Sequence, residues 1–310
     1  MSGSRLVTAA LPVVLAFVLA IGSAGVRDGG AGDPTSVAAA AEVPAEVPTR
    51  PAVAEAAPPV PAAPTAQPPA VDAAGLLAEV QAAASAAGGS IALVVRAADG
   101  TPLVSSAGAG DVVYSASLVK LLVVGRLLEL QARGEVVLTD RDRSLMERAV
   151  VRSDDAATSL LWDRWDGTAL VGAVVTEAGL TATAPPAVAG RWGEATTSAA
   201  DVAALLSGLE TTLGPGPAAT LLGWMRATSA TGADGFDQRF GLLAGGAAGT
   251  VAAKQGWMCC VDRTRQLHSA GVLPGGEVVA LLGDFPAATS WGRARAALDT
   301  AAAAVRAAVG

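Results

Sequence analysis

Residues 117–130 read Ser117-Leu118-Val119-Lys120-Leu121-Leu122-Val123-Val124-Gly125-Arg126-Leu127-Leu128-Glu129-Leu130. Apolar residues fall on every face of the helix that this stretch predicts over Leu118 to Leu130, and a helix apolar all round is a buried one. Ser117 opens it and Lys120 follows three residues on, so the two share a face one turn apart. The hydroxyl lies near the partly positive end of the helix, which favours developing negative charge. An ammonium among apolar side chains is costly, so burial pushes Lys120 toward the neutral amine. A neutral amine beside a hydroxyl is an activated nucleophile. Ser-x-x-Lys alone also fits an N-cap serine and a surface lysine, but this helix offers the lysine no solvated face.

The lysine is notable for a second reason. Of the chain's 21 basic residues, only Lys120 and Lys254 are lysine. Arginine stays protonated in proteins, whereas lysine changes its pKa readily when buried. An Ala- and Gly-rich composition accounts for the scarcity of lysine, not for where the two remaining ones lie.

Outward from residues 117–130, the pattern predicts strands at both ends of a domain and helices between them. A short helix around Leu76 to Val80 ends at Gly88-Gly89, and a strand follows from Ser90 to Arg96. The chain turns at Asp99-Gly100 into a second strand near Leu103. Helices are expected near 145–151, 156–165, 199–209 and 218–226, strands at 266–272 and 278–283, and a last helix at 291–309. This is an α+β plan: the two ends meet in one antiparallel sheet flanked by helices, and the middle forms an all-helical subdomain.

A formal charge of −7 over 310 residues, with no basic run, argues against nucleic-acid binding. The two cysteines, Cys259 and Cys260, are adjacent, and His268 is the only histidine. That supports neither a disulfide framework nor a metal site, and no cofactor is expected. Free, buried thiols are the simpler reading of the pair, since strand neighbours point to opposite faces. Export keeps a vicinal disulfide open.

Arg5 and the apolar run from Leu6 to Val26, with Gly22 and Ala24, predict a signal peptide or membrane anchor over residues 1–27. No cysteine directly follows the run, which argues against N-terminal lipidation. Residues 28–72 are rich in Ala and Pro and read as a linker. The folded domain is expected over 73–310, outside the cytoplasm, as a monomer that meets the membrane only through its N-terminal segment.

Three further segments join Ser117 and Lys120. They are Ser153-Asp154-Asp155 ahead of a helix, Trp192-Gly193-Glu194-Ala195-Thr196-Thr197 ahead of a helix carrying Asp201, and Lys254-Gln255-Gly256 before the late strands. Leu221-Leu222-Gly223-Trp224-Met225 precedes the last of these. In this order and spacing the chain resembles the serine β-lactamases and penicillin-binding proteins, whose motif set is S-x-x-K, S-D-N and K-T-G, and class A β-lactamases in particular. The resemblance implies an active site between the sheet and the helical subdomain. By it Ser117 is the acylated nucleophile, Lys120 its base partner, and Ser153 the relay of a proton to the leaving nitrogen. Asp155, Lys254, Gln255 and Gly256 would line the substrate site, with Lys254 meeting a substrate carboxylate. The substrate would be a β-lactam or a peptidoglycan-derived D-alanyl peptide.

Three departures qualify the resemblance. Between Gly179 and Glu194 the chain reads GLTATAPPAVAGRWGE, without the Glu-x-x-Leu-Asn that activates the deacylating water in class A enzymes, so slow deacylation is expected. Asp155 replaces an asparagine, and an ionised carboxylate only accepts hydrogen bonds. Aimed at Lys120, it would favour the ammonium. Gln255 replaces threonine. A rival reading follows from these departures: a catalytically impaired protein of the same fold that binds a wall fragment or partner. A purely structural wall protein would leave the serine and both lysines unexplained. Trp257 reads either as a cleft wall or as a core residue.

Overall fold

The computed structural model describes residues 71–310; the expected leader, and all of the expected linker before Val71, lie outside the described residues. In chain order come α1 (Ala73–Ala86), β1 (Ser90–Arg96), β2 (Pro102–Ser105), β3 (Val113–Tyr114) and α2 (Val119–Ala132). The helices α3 (Asp140–Val151), α4 (Asp155–Trp165) and α5 (Gly167–Ala178) lead to the short β4 (Thr196–Thr197). Next stand α6 (Ala199–Ser207), α7 (Leu209–Leu213) and α8 (Pro215–Arg226). The chain then returns to the sheet through β5 (Ala252–Cys259), β6 (Thr264–Val272) and β7 (Val278–Pro286), and closes with α9 (Trp291–Val309).

The α+β plan holds. The chain ends meet in an antiparallel sheet of order β2-β1-β7-β6-β5, so β1 pairs with β7 across most of the sequence. Strand alternation feeds two cores. On β7, Val278, Ala280 and Leu282 face the core shared with the helical subdomain, while Val279, Leu281 and Phe285 face α1 and α9. α2 is the axis of the helical subdomain, with Val119 to Glu129 buried. Besides Lys120, the helix buries Arg126, which is neutralised by Glu129 and Glu177, each 2.7 Å away.

Helix starts follow local chemistry. Thr139 and Asp142 form a reciprocal capping box on α3, and Asp154 caps α4 through Ala157 N at 3.0 Å. Four elements went unread in the sequence: α5, α7, β3 and β4. α5 carries Val171, Val174 and Val175, whose branching blurs helical preference, and β3 and β4 are a two-residue ribbon. β5 begins at Ala252, so Lys254 lies inside a strand rather than before one.

Candidate active site

Ser117 sits in a single 3-10 turn, Ala116–Leu118, from which α2 continues. Its neighbour Ala116 has φ +47°, a left-handed conformation that costs an alanine energy and concentrates at functional sites. Two contacts secure the turn. Ser115 N donates to Ala195 O at 2.7 Å, and the edge strand β5 packs on the turn from the other side. Gly256 permits that approach, because a Cβ there would meet Ser115 O and the His268 ring at 3.3 Å.

Lys120 is fully buried. Its Nζ donates to Ser153 O at 2.8 Å, Ser153 Oγ at 3.3 Å and Asp155 Oδ1 at 2.7 Å. Three acceptors around three ammonium protons is a full complement; among the described residues Ser117 is not one of them. Burial lowers the Lys120 pKa, and the Asp155 charge opposes that shift. The asparagine-to-aspartate departure therefore lies directly on the lysine.

Ser153 stands between the two lysines. It too has a left-handed φ, +50°, in the junction between α3 and α4. Its Oγ also accepts a 2.8 Å bond from Lys254 Nζ, which donates in addition to Gln255 O at 2.8 Å. Lys254 is fully buried, and no salt-bridge partner reaches it among the described residues. Its pKa falls well below the ordinary lysine value, first through burial and then through repulsion by Lys120. Burial thus pushes both lysines toward the neutral amine, but only Lys120 has a counter-ion, the Asp155 carboxylate that the sequence led us to expect beside it.

Gln255 requires a correction. Rather than lining a substrate-carboxylate site, its Nε2 donates to Gln238 O at 3.1 Å and Phe240 O at 2.5 Å. The side chain is fully buried. Two main-chain carbonyls consume its donors, which a threonine hydroxyl would be too short to reach. Gly256 presents only backbone, on the outer edge of β5.

The cysteines also correct the simpler reading. Cys259 and Cys260 are bonded to each other and exposed, at the end of β5, rather than free and buried. Trp257 is half-buried: its ring stacks on Phe236 with centroids 4.7 Å apart, and Nε1 donates to Asp234 at 2.9 Å. His268 lies buried beneath the Ser115 turn, with Nε2 bonded to Tyr114 O at 2.8 Å. Burial lowers its pKa to about 4, so it stays a neutral structural bridge at pH 7.

Trp192 opens the 192–197 segment quoted above, but motif reading gave it no role of its own. Its ring lies 4.8 Å from Lys120 Nζ, and its Nε1 donates to Ser159 at 3.2 Å. Next to it, a Cβ on Gly193 would come within 3.6 Å of Met258 on β5. The segment thus crosses from Lys120 to the edge strand. Glu194, the lone carboxylate of residues 179–194, forms an ion pair with Arg191 at 3.0 Å. Asp201 ties the loop down, accepting from Thr181 N, Ala182 N and Thr183 Oγ1. Ser117 retains 5% exposure, Ser153 4%, and the lysines none. The arrangement can move a proton among Ser153 and two amines in a low-dielectric setting, beside a hydroxyl at the head of a helix.

Residues 141–282 match the family described as "Beta-lactamase enzyme family". Curated proteins named "Putative lipoprotein LppW", from Mycobacterium bovis and Mycobacterium tuberculosis, are 36% identical over 196 residues. The match covers 62% of this chain and 61% of theirs, so it spans under two thirds of the length of these relatives. Among solved structures, a β-lactamase from Chitinophaga pinensis superposes with a TM-score of 0.64 at 17% identity, covering 76% of this chain and 100% of the other. A PBP-A variant captured as its acyl-enzyme with penicillin G gives 0.61 at 22% identity, covering 78% and 98%. Residues 141–282 are thus similar to the β-lactamase enzyme family, and the chain has the fold of these β-lactamase and PBP-A structures.

Proposed function

We propose that this protein is an exported serine hydrolase of the β-lactamase and penicillin-binding class. It is acylated at Ser117 by a β-lactam or a peptidoglycan-derived D-alanyl peptide and releases the acyl group slowly. The observation that carries this reading is Ser153 Oγ, held between Lys120 and Lys254 beside the Ser117 turn. In the reaction Ser117 Oγ attacks the substrate carbonyl, the C–N bond breaks, and the serine proton passes through the Lys120–Ser153–Lys254 group to the leaving nitrogen. N–H groups at the Ser117 turn and on the free edge of β5 are the donors available to the developing oxyanion.

Slow release follows from what surrounds the ester. Glu194 is paired with Arg191, and the Trp192 indole covers Lys120, where an activated water would need room and a base. The lipoprotein name of the mycobacterial relatives agrees with a location outside the cytoplasm. Here, however, the only cysteines are Cys259 and Cys260, so attachment to a membrane would depend on the N-terminal segment itself. Among the described residues no helix is long and apolar enough to cross a membrane.

The rival reading, a non-catalytic binder, is favoured by the engaged Lys120 and the inward-turned Gln255. Incubation with a labelled penicillin separates the two. A covalent adduct on Ser117, lost in Ser117→Ala, supports acylation, and a long-lived label supports slow release. No adduct at any time would sink the enzyme reading for β-lactams.

A further inference from the structure

The disulfide between Cys259 and Cys260 has no part in the chemistry proposed above. A bridge between neighbours closes no loop of intervening chain, so it removes little freedom from the unfolded state, where structural disulfides mainly act. Both residues are exposed, so a reagent in solution reaches the sulfurs, and exposed disulfides are the labile, regulatory ones. What the bridge governs is local. Cys259 is the last residue of β5, paired with Arg265 on β6, and Cys260 leads into the turn Val261–Arg263 that joins the two strands.

That turn has an unusual backbone. Asp262 and Arg263 have φ of +49° and +64°, two consecutive left-handed residues that carry side chains. Such a conformation costs energy and persists only where its surroundings impose it. On the far side, hydrogen bonds from Thr264 Oγ1 to Val261 O and from Ala287 N to Arg263 O fix the chain. On the near side the disulfide ties Cys260 back to the end of β5. Between them Asp262 Oδ2 accepts from Tyr114 OH at 2.5 Å. Tyr114 stands three residues before Ser117, and its carbonyl is bonded to His268. Tyr114 and Asp262 also line a cavity of about 300 Å³ between the β3–β4 ribbon and the adjoining ends of β6 and β7. The turn therefore has space to move into once Cys260 is released.

We propose that Cys259 and Cys260 form a reversible redox site: an external dithiol opens the bridge, and its opening frees Asp262 from Tyr114 beside the Ser117 turn. One thiolate of the dithiol attacks a cysteine sulfur, the S–S bond breaks, and the other cysteine leaves as a thiolate that takes up a proton. The second thiol of the reductant then attacks the mixed disulfide and releases the first cysteine as a thiol. Two electrons and two protons pass to the protein, and the dithiol becomes a disulfide. The site stands independently of acylation at Ser117.

Tyr114 is the chain's only tyrosine, so phenolate absorbance during an alkaline titration reads this contact alone. Donation to Asp262 first, then burial and the charges of Asp262 and Glu194, raise its pKa above the ordinary 10.0. Dithiothreitol under native conditions should open both sulfurs of the full chain to iodoacetamide, seen as two carbamidomethyl groups in the intact mass. The reduced chain, and a double variant carrying Cys259→Ser and Cys260→Ser, should titrate at lower pH than the oxidised chain. Oxidised Asp262→Asn should match them, and reoxidation of the parent should restore the higher value. Melting curves of the double variant should follow the parent's, because the bridge closes no loop. Sulfurs that resist the dithiol in the native chain, a Tyr114 titration identical in oxidised and reduced chains, or loss of the folded state on reduction would overturn the proposal.

Discussion

Asp155 decides how the Lys120 amine behaves. Its carboxylate is 68% exposed yet sits 2.7 Å from a fully buried Nζ, so it stabilises the ammonium while remaining partly screened by water. Asp155→Asn removes that support, lowers the Lys120 pKa further and enlarges the neutral fraction at any given pH. The acid limb of the acylation rate should move to lower pH by about one unit, read from labelled-penicillin kinetics across pH. An unmoved limb would mean that Lys120 does not carry the proton. Lys254 makes the opposite case, because its depressed folded-state pKa lets the unfolded chain bind the extra proton. Stability therefore rises with pH up to the ordinary lysine value near 10.5. Lys254→Met should raise unfolding free energy at pH 7 by about 1 kcal/mol, flatten that rise and abolish acylation. His268 works in the acid range: with a folded pKa of about 4 against 6.5 unfolded, its contribution is full above pH 6.5 and is lost as pH falls toward 4. The loss amounts to about 3 kcal/mol, and denaturant titrations of His268→Gln should show a shallower acid decline.

At the scale of elements, two contacts enclose the serine. β5 reaches the Ser115–Ser117 turn only because residue 256 lacks a side chain; Gly256→Val should cost about 1–3 kcal/mol and eliminate labelling by displacing the strand. The crossing segment at Trp192 and Gly193 is the other contact. Trp192→Ala should open Lys120 to water and shorten the life of the acyl label, measured by chase with unlabelled drug. A label lifetime unaffected by that change would assign slow release to the missing base alone. Much of this was legible in the chain. α2 announced itself by an apolar surface with no gap, and the pairing of Asp155 with Lys120 follows from motif order. Side-chain direction within a strand was less legible. Nothing in Lys254-Gln255-Gly256 says that the amide will turn inward to Gln238 and Phe240, because those carbonyls come from a loop far from any motif. The contact of Trp192 with Lys120 was hidden for the same reason: the two are 72 residues apart, and proximity of that kind is a product of packing, not of spacing.

For the molecule as a whole, one sheet serves two cores, and the long strands β6 and β7 contribute alternate residues to each. Leu298 on α9 is fully buried in the core remote from Ser117; Leu298→Ala should cost about 2–5 kcal/mol while leaving the rate of Ser117 labelling nearly unchanged in the folded fraction. The sheet plan was readable from strand patterns at the two chain ends, whereas the cavity between the β3–β4 ribbon and β6 was not, since it joins four short segments drawn from residues 112–284. The placement of β5 at the sheet margin has an evolutionary consequence. The hydrogen-bonding groups along a margin belong to the peptide chain and survive substitution of the side chains around them. A lineage can therefore exchange threonine for glutamine at position 255 and still retain the rail along which a peptide-like ligand would lie, so that specificity is free to drift while the docking direction is inherited.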